Sequence, residues 1–220
     1  MRIIIGLALI MYSFSQVYGQ EDTKAQKILD DLTLKFKSYP SVSIDFSATV
    51  SQLQGKDEST SEGKLWVKGS KYKLEIQDQV IFFDGKRIYQ YMPEVKEVNV
   101  SEPDMDSDNE DLQLLNPQTF FNLSSKSFKS KLVKEDTYDK RKVYEIDLYP
   151  IQVKTTRYSR IRMMIERETL QIVFIKAFFK DGAQYSISFK PYNILSSLPD
   201  SYFTFNRVLY PDVEVIDLSF

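Results

Sequence analysis

The sequence predicts a mainly β protein with a small helical part (α+β): one curled antiparallel sheet or barrel, with helices placed to plug or cover it. Three observations carry this expectation. After one amphipathic helix the spacing of apolar residues drops to two. The alternating segments then recur at intervals of roughly ten residues, and within each half no helix separates them, so successive strands are expected to pair antiparallel.

The first element is the helix. Thr23 and Gln26 have the spacing of a capping box, and Ala25, Ile28, Leu29, Leu32 and Phe36 follow at helical spacing until Pro40 ends the pattern. A helix from about residue 22 to 38 is predicted. From Val42 the period is two, through Ile44, Phe46, Ala48 and Val50, which describes a half-buried strand. Alternation returns at Leu65 and Val67, at Tyr72, Leu74 and Ile76, and around Ile81 to Phe83. Asp84-Gly85 is a hairpin signal before Ile88 to Tyr91 and Val95 to Val100.

Between Ser101 and Asp111 the chain turns acidic and irregular. Asn116-Pro117 then offers an N-cap and a first-turn proline for a short helix bearing Phe120, Phe121 and Leu123. The second half returns to strands: Phe128 to Val133, Val143 to Leu148, Tyr158 to Ile165, Ile172 to Phe179 and Tyr185 to Phe189, with Asp181-Gly182 as a further hairpin turn. All are expected to pair in consecutive antiparallel order. No Gly/Ser linker divides the chain, so residues 20–220 are expected to form one domain.

Residues 1–19 have the layout of a secretory signal. Arg2 precedes the apolar run Ile3 to Tyr12, and the small residues Val17 and Gly19 suit cleavage after Gly19, with Ser15 as an alternative. That run is shorter than the roughly 20 residues a membrane-spanning helix needs. The chain has no cysteine, so a lipid anchor at the cleavage point is not expected and stability must come from the core without disulfides. The formal net charge is −2, and removing the leader takes away only Arg2, leaving −3. Lys and Arg are interspersed with Asp and Glu, which argues against nucleic acid as a partner.

Histidine is absent as well, which removes Cys/His and Ser-His-Asp catalysis, histidine bases and the usual zinc ligand sets. Paired carboxylates are the catalytic route left, but the Asp and Glu residues fall mostly at turns and exposed-looking strand positions, so no enzyme is expected. Asp104-x-Asp106-x-Asp108 resembles the start of a calcium loop. Asn109 replaces its turn glycine and Leu115 its final glutamate, so a solvated acidic loop is the better reading and no metal or cofactor is expected.

Phe and Tyr number 15 and 14, many on strands. They either fill a barrel in the ordinary way or enclose more apolar surface than the fold needs for itself. The second half alone supplies apolar rows at Tyr144, Ile146 and Leu148, at Ile161, Met163 and Ile165, at Val173, Ile175, Ala177 and Phe179, and at Tyr185, Ile187 and Phe189. That is much apolar surface for two helices to cover.

Several strings together resemble the outer-membrane lipoprotein carrier (LolA) family. They are Gly63-Lys64-Leu65-Trp66-Val67-Lys68; Phe83-Asp84-Gly85-Lys86 followed by Tyr89 and Tyr91; Asn116-Pro117 before Phe120-Phe121; and Leu198-Pro199-Asp200-Ser201-Tyr202-Phe203-Thr204-Phe205. The resemblance implies an incomplete antiparallel barrel, a half-barrel, lidded by helices. It also implies a function: a monomeric periplasmic carrier that accepts lipoproteins from an inner-membrane lipoprotein-releasing ABC transporter and hands them to an outer-membrane receptor or membrane acceptor. Acyl chains would lie between sheet and lid. Ile44, Phe46, Leu65, Val67, Tyr72 and Leu74 would come from the sheet, and Leu29, Leu32, Phe120 and Phe121 from the lid. A related periplasmic protein that binds another lipid or senses envelope lipoproteins is the alternative.

The energetics suit a carrier. At roughly 0.8 kcal/mol per buried methylene, an acyl chain of about sixteen carbons represents on the order of 12 kcal/mol against water, so handover must be direct. In characterised members of the family a strand arginine near the Leu-Trp-Val-Lys string contacts the lid and helps to close it. The equivalent place here falls on or beside Lys68, Gly69 and Ser70, with Lys71 and Lys73 close by. Lysine lacks the planar fork of arginine, so a weaker or differently made closure is expected, with Lys68 the candidate latch.

Overall fold

A computed structural model describes residues 22–51, 58–103, 121 and 127–219. The expected leader, the calcium-like stretch from Asp104, the Asn116-Pro117 signal and Phe120 lie outside the described residues.

The chain opens with α1 (Thr23–Lys37) and then forms β1 (Ser41–Ser51), β2 (Glu58–Lys68), β3 (Lys71–Ile76), β4 (Gln79–Phe83), β5 (Ile88–Met92) and β6 (Glu97–Ser101). The second half holds β7 (Phe128–Tyr138), β8 (Arg141–Pro150), β9 (Tyr158–Glu166), β10 (Ile172–Phe179), β11 (Gln184–Phe189), β12 (Asn193–Leu195) and β13 (Glu214–Asp217). Two 3-10 turns, Asp200–Phe203 and Arg207–Leu209, precede β13.

All the described strands belong to one open, curved sheet in the order β13-β6-β5-β4-β3-β2-β1-β11-β10-β9-β8-β7, with β12 pairing β1 beside that path. Consecutive pairing holds inside each meander but fails at the seam. There β1 lies between β2 and β11, with Phe46 opposite Phe189 on one side and Gly63 on the other. β7 therefore occupies the far edge instead of lying beside β6, and the sheet stays open. At the other edge β13 runs parallel to β6, a pairing of four residues too short to show as alternation in sequence.

Hairpin chemistry behaves as the sequence suggests. The Asp84 carboxylate accepts from the backbone N–H of Lys86 and of Arg87, both at 2.8 Å, and Gly85 supplies the positive φ of 98° the turn demands. Burial raises the Asp84 carboxyl, but these N–H donors, the Tyr89 hydroxyl and the Lys71 charge together hold it below its ordinary value.

The N-cap of α1 is Asp22 and not Thr23. Asp22 Oδ1 accepts the N–H of Lys24 and of Ala25, each at 3.1 Å, while Oδ2 accepts the N–H of Leu132 on the edge strand β7 at 2.7 Å. A carboxylate satisfies orphan donors and suits the positive end of the helix dipole, which a threonine hydroxyl does less well. It also fastens the start of the helix to the sheet. Asp22→Ala is expected to cost about 1–2 kcal/mol, and faster hydrogen exchange at Leu132 would separate this tether from an ordinary cap.

Register and burial define two faces. On the concave face Ile44, Leu65, Leu74 and Ile81 stand in one row across β1 to β4. From the second meander come Ile146, Leu148, Ile161, Met163, Ile175, Ala177 and Ile187. These share one core with Ala25, Ile28, Leu29 and Leu32 of α1. On the convex face of the first meander, Trp66, Phe82, Tyr89, Tyr91, Val98 and Val100 are covered by the C-terminal segment. Phe203 is fully buried there, and the Phe205 ring lies 5.9–6.4 Å from Phe82, Tyr89 and Tyr91. Part of the aromatic excess is therefore spent on an outer layer, not on the interior.

Candidate functional site

The interior beneath α1 is the site the residues build. Alternation puts Ile44, Phe46, Leu65, Val67, Tyr72 and Leu74 on the concave face, and helical spacing turns Leu29 and Leu32 down onto them; all eight are buried. Phe121 is buried with them, its ring stacked on Phe36 at 3.7 Å and 3°, and set edge-on to Tyr192 at 6.2 Å. Of the ten positions expected to line a ligand, nine meet in one core, and Phe120 lies outside the described residues.

Among the described residues, side chains of the sheet and α1 pack against one another in this interior. A cleft of about 340 Å³ opens where the C-terminal end of α1 meets the β2–β3 turn, lined by Phe36, Lys37, Tyr39, Val42, Val67, Gly69, Ser70 and Phe121. Sequence reasoning named only Val67 and Phe121 of these as ligand residues. Phe36 was placed on the buried stripe of the helix, but nothing in its spacing marks it as a cleft wall.

Ionisation inside is suppressed. Burial pushes the Tyr72 hydroxyl up to about 12 and raises that of Tyr192 further, whose O–H donates to the Ile172 carbonyl at 3.1 Å. Among the described residues the buried carboxylates, Glu145 and Asp147, sit on the convex face, and no cluster suited to a metal ion is present. What the described residues build here is an apolar interior suited to holding apolar groups.

Gly63 shows how tightly the seam is built. A Cβ there would overlap the ring of Phe46 and come within 2.8 Å of the Glu75 carbonyl, so the ring closes over the strand only because no side chain stands in its way.

Lys68 does not reach α1. Its ammonium donates to the Leu198 carbonyl at 2.6 Å and to Asp200 Oδ1 at 2.8 Å, and Lys71 donates to Asp200 Oδ2 at 2.7 Å. The expected latch therefore grips the C-terminal segment from the convex side, because a side chain at position 68 alternates with Val67 and faces away from the helix. Lys73 joins it, lying 5.0–5.4 Å from the ring centres of Trp66, Phe82 and Tyr202. Hydrogen bonds from Lys68 and Lys71, and then their charges, hold the Asp200 carboxyl at about 2. A lowered carboxyl contributes above its unfolded value near 3.8 and is lost only as pH falls through about 2, so this grip persists through mildly acid conditions. Asp200→Asn is expected to raise protease cleavage of residues 196–213 by about two- to threefold, the modest effect proper to an exposed pair. Limited proteolysis at neutral pH measures it.

The chain matches the family described as "Outer membrane lipoprotein carrier protein LolA" over residues 37–206. No curated protein matches it. Among solved structures, an uncharacterized conserved protein from Thermus thermophilus is similar with a TM-score of 0.57 and 9% identity, over 88% of this chain and 99% of that one. A DUF1329 family protein from Desulfovibrio piger is similar with a TM-score of 0.50 and 16% identity, over 84% and 98%. At such identities these two speak for the fold alone.

Proposed function

We propose that this chain, which belongs to the outer membrane lipoprotein carrier protein LolA family, is a periplasmic carrier that holds lipoprotein acyl chains between its curved sheet and α1. The observation that carries the reading is that the core in which Leu29, Leu32 and the concave apolar rows meet ends in an open cleft walled by Phe36, Val42, Val67 and Phe121. Cargo would arrive from the inner-membrane lipoprotein-releasing ABC transporter and leave to an outer-membrane receptor or to the membrane itself.

Packing supports a particular way of loading. The closed interior buries its own apolar surface, so lifting α1 exposes surface that acyl chains then cover. Loading exchanges one set of contacts for another and stays near neutral, as reversible transfer requires. The ligand positions named above serve in both states.

The size of the cleft favours a second reading. At about 340 Å³ it lies near the lower end of the roughly 300–1,000 Å³ found for small-molecule pockets, room for one short apolar chain. A related periplasmic protein that binds a single lipid, or senses envelope lipoproteins, fits that volume without opening. Gentle affinity purification from the periplasm separates the two. A carrier brings triacylated lipoproteins with it; free lipid alone favours the second reading, and an empty protein that takes up no apolar probe overturns both.

A further inference from the structure

The cleft is apolar in depth and cationic at its mouth. Phe36, Val42, Val67 and Phe121 form its walls, while Lys37 stands at the rim and the Lys35 ammonium lies 6.0 Å from the ring centre of Tyr39, itself a lining residue. Neither lysine has a carboxylate partner among the described residues. Across the cleft the wall is Gly69-Ser70, while Lys68 and Lys71 on either side of it turn outward to Asp200. Phe36 presents its ring to Tyr39, Phe121 and Tyr192, so the polar side chains on the cleft among the described residues are those of Lys37, Tyr39 and Ser70.

We infer that the cleft selects single-chain amphiphiles with an anionic head: the chain lies against Phe36, Val42, Val67 and Phe121, and a carboxylate or phosphate sits at Lys37 and Lys35. This rests on the reading of the cleft as the ligand site. The chemistry is complementary at both ends. An apolar slot alone would accept an alcohol as readily as an acid of the same length, whereas rim lysines with no carboxylate partner among the described residues favour the charged head. The helix C-terminus opposes this with its own partial negative charge, which the same two lysines offset.

The test is displacement of N-phenyl-1-naphthylamine from the full-length mature protein by dodecanoate, dodecyl phosphate and dodecan-1-ol at low and high salt. Both anions are expected to bind about fivefold more tightly than the alcohol at low salt, with the gap closing as salt rises. Lys37→Gln should shrink the gap, while Lys176→Gln on the convex face should leave it unchanged. The better of the two anions distinguishes a fatty-acid head from a phosphate head. Equal binding of acid and alcohol, or a gap insensitive to Lys37→Gln, overturns the charge selection while leaving an apolar carrier site standing. No binding of the probe or of any chain overturns the site itself.

Discussion

Arg162→Ala is expected to lower the unfolding free energy by about 2–4 kcal/mol at pH 7, and by much less near pH 4. Arg162 on β9 donates to Asp147 at 2.8 and 3.0 Å and lies 2.7 Å from Glu145, and these two carboxylates on β8 are only 2% and 3% exposed. Truncation leaves them desolvated. Arg160, 3.1 Å from Asp147, and Lys134, 3.8 Å from Glu145, remain and keep the loss below that of an isolated buried charge.

The pH dependence follows from the same contacts. Burial raises the Asp147 carboxyl, but the hydrogen bond and charge of Arg162 and the charge of Arg160 outweigh it and hold it below its ordinary value of 3.8. A lowered carboxyl stabilises the fold above its unfolded value and loses that contribution as pH falls through the folded one. In the variant burial is less opposed, so the carboxyl takes up its proton at higher pH and a neutral acid is cheaper to bury. The penalty must therefore shrink on acidification. Urea denaturation at pH 7 and pH 4 measures both; a penalty under about 1 kcal/mol at pH 7, or one that does not change with pH, would mean that these charges are effectively solvated.

The second large effect is expected at Phe203. Its side chain is fully buried between the C-terminal segment and the convex face of the first meander, so Phe203→Ala should cost about 3–5 kcal/mol. The rings of Phe205, Tyr202 and Tyr210 reach the same face, so the segment should loosen as a unit. Denaturation midpoints give the loss, and protease cleavage near residue 205 locates it. Loss of stability with residues 196–213 still protected would show a simple cavity instead of a detached segment.

How much of this was legible depended on distance along the chain. Period-two alternation marked β1, β3, β9, β10 and β11 because each contrasts a buried face with a more exposed one over part of its length, whereas β5 is half-buried throughout and was marked by the Asp84-Gly85 turn before it. The long outer parts of β2 and β7 carry Ser, Thr, Glu and Lys at successive positions, and their pairing rests on a neighbour instead of on their own pattern. The positions on β1 to β3 and α1 proposed to meet the ligand were readable as buried for the same reason that the core was. The cleft was not: Lys37, Tyr39 and Ser70 meet there only because the end of α1 lands beside the β2–β3 turn.

By itself the sequence determined the mainly β character, the amphipathic helix, the faces of most strands and the absence of histidine and cysteine chemistry, all of which are local consequences of residue type and period. Tertiary structure alone decided that β1 joins the two meanders, that β7 and β13 are edges, that Asp22 caps α1 while holding β7, and that Lys68 grips Asp200 from the outer face. Periodicity says which side of a strand is apolar but not which neighbour covers it. A partner 132 residues away leaves no mark on the local pattern.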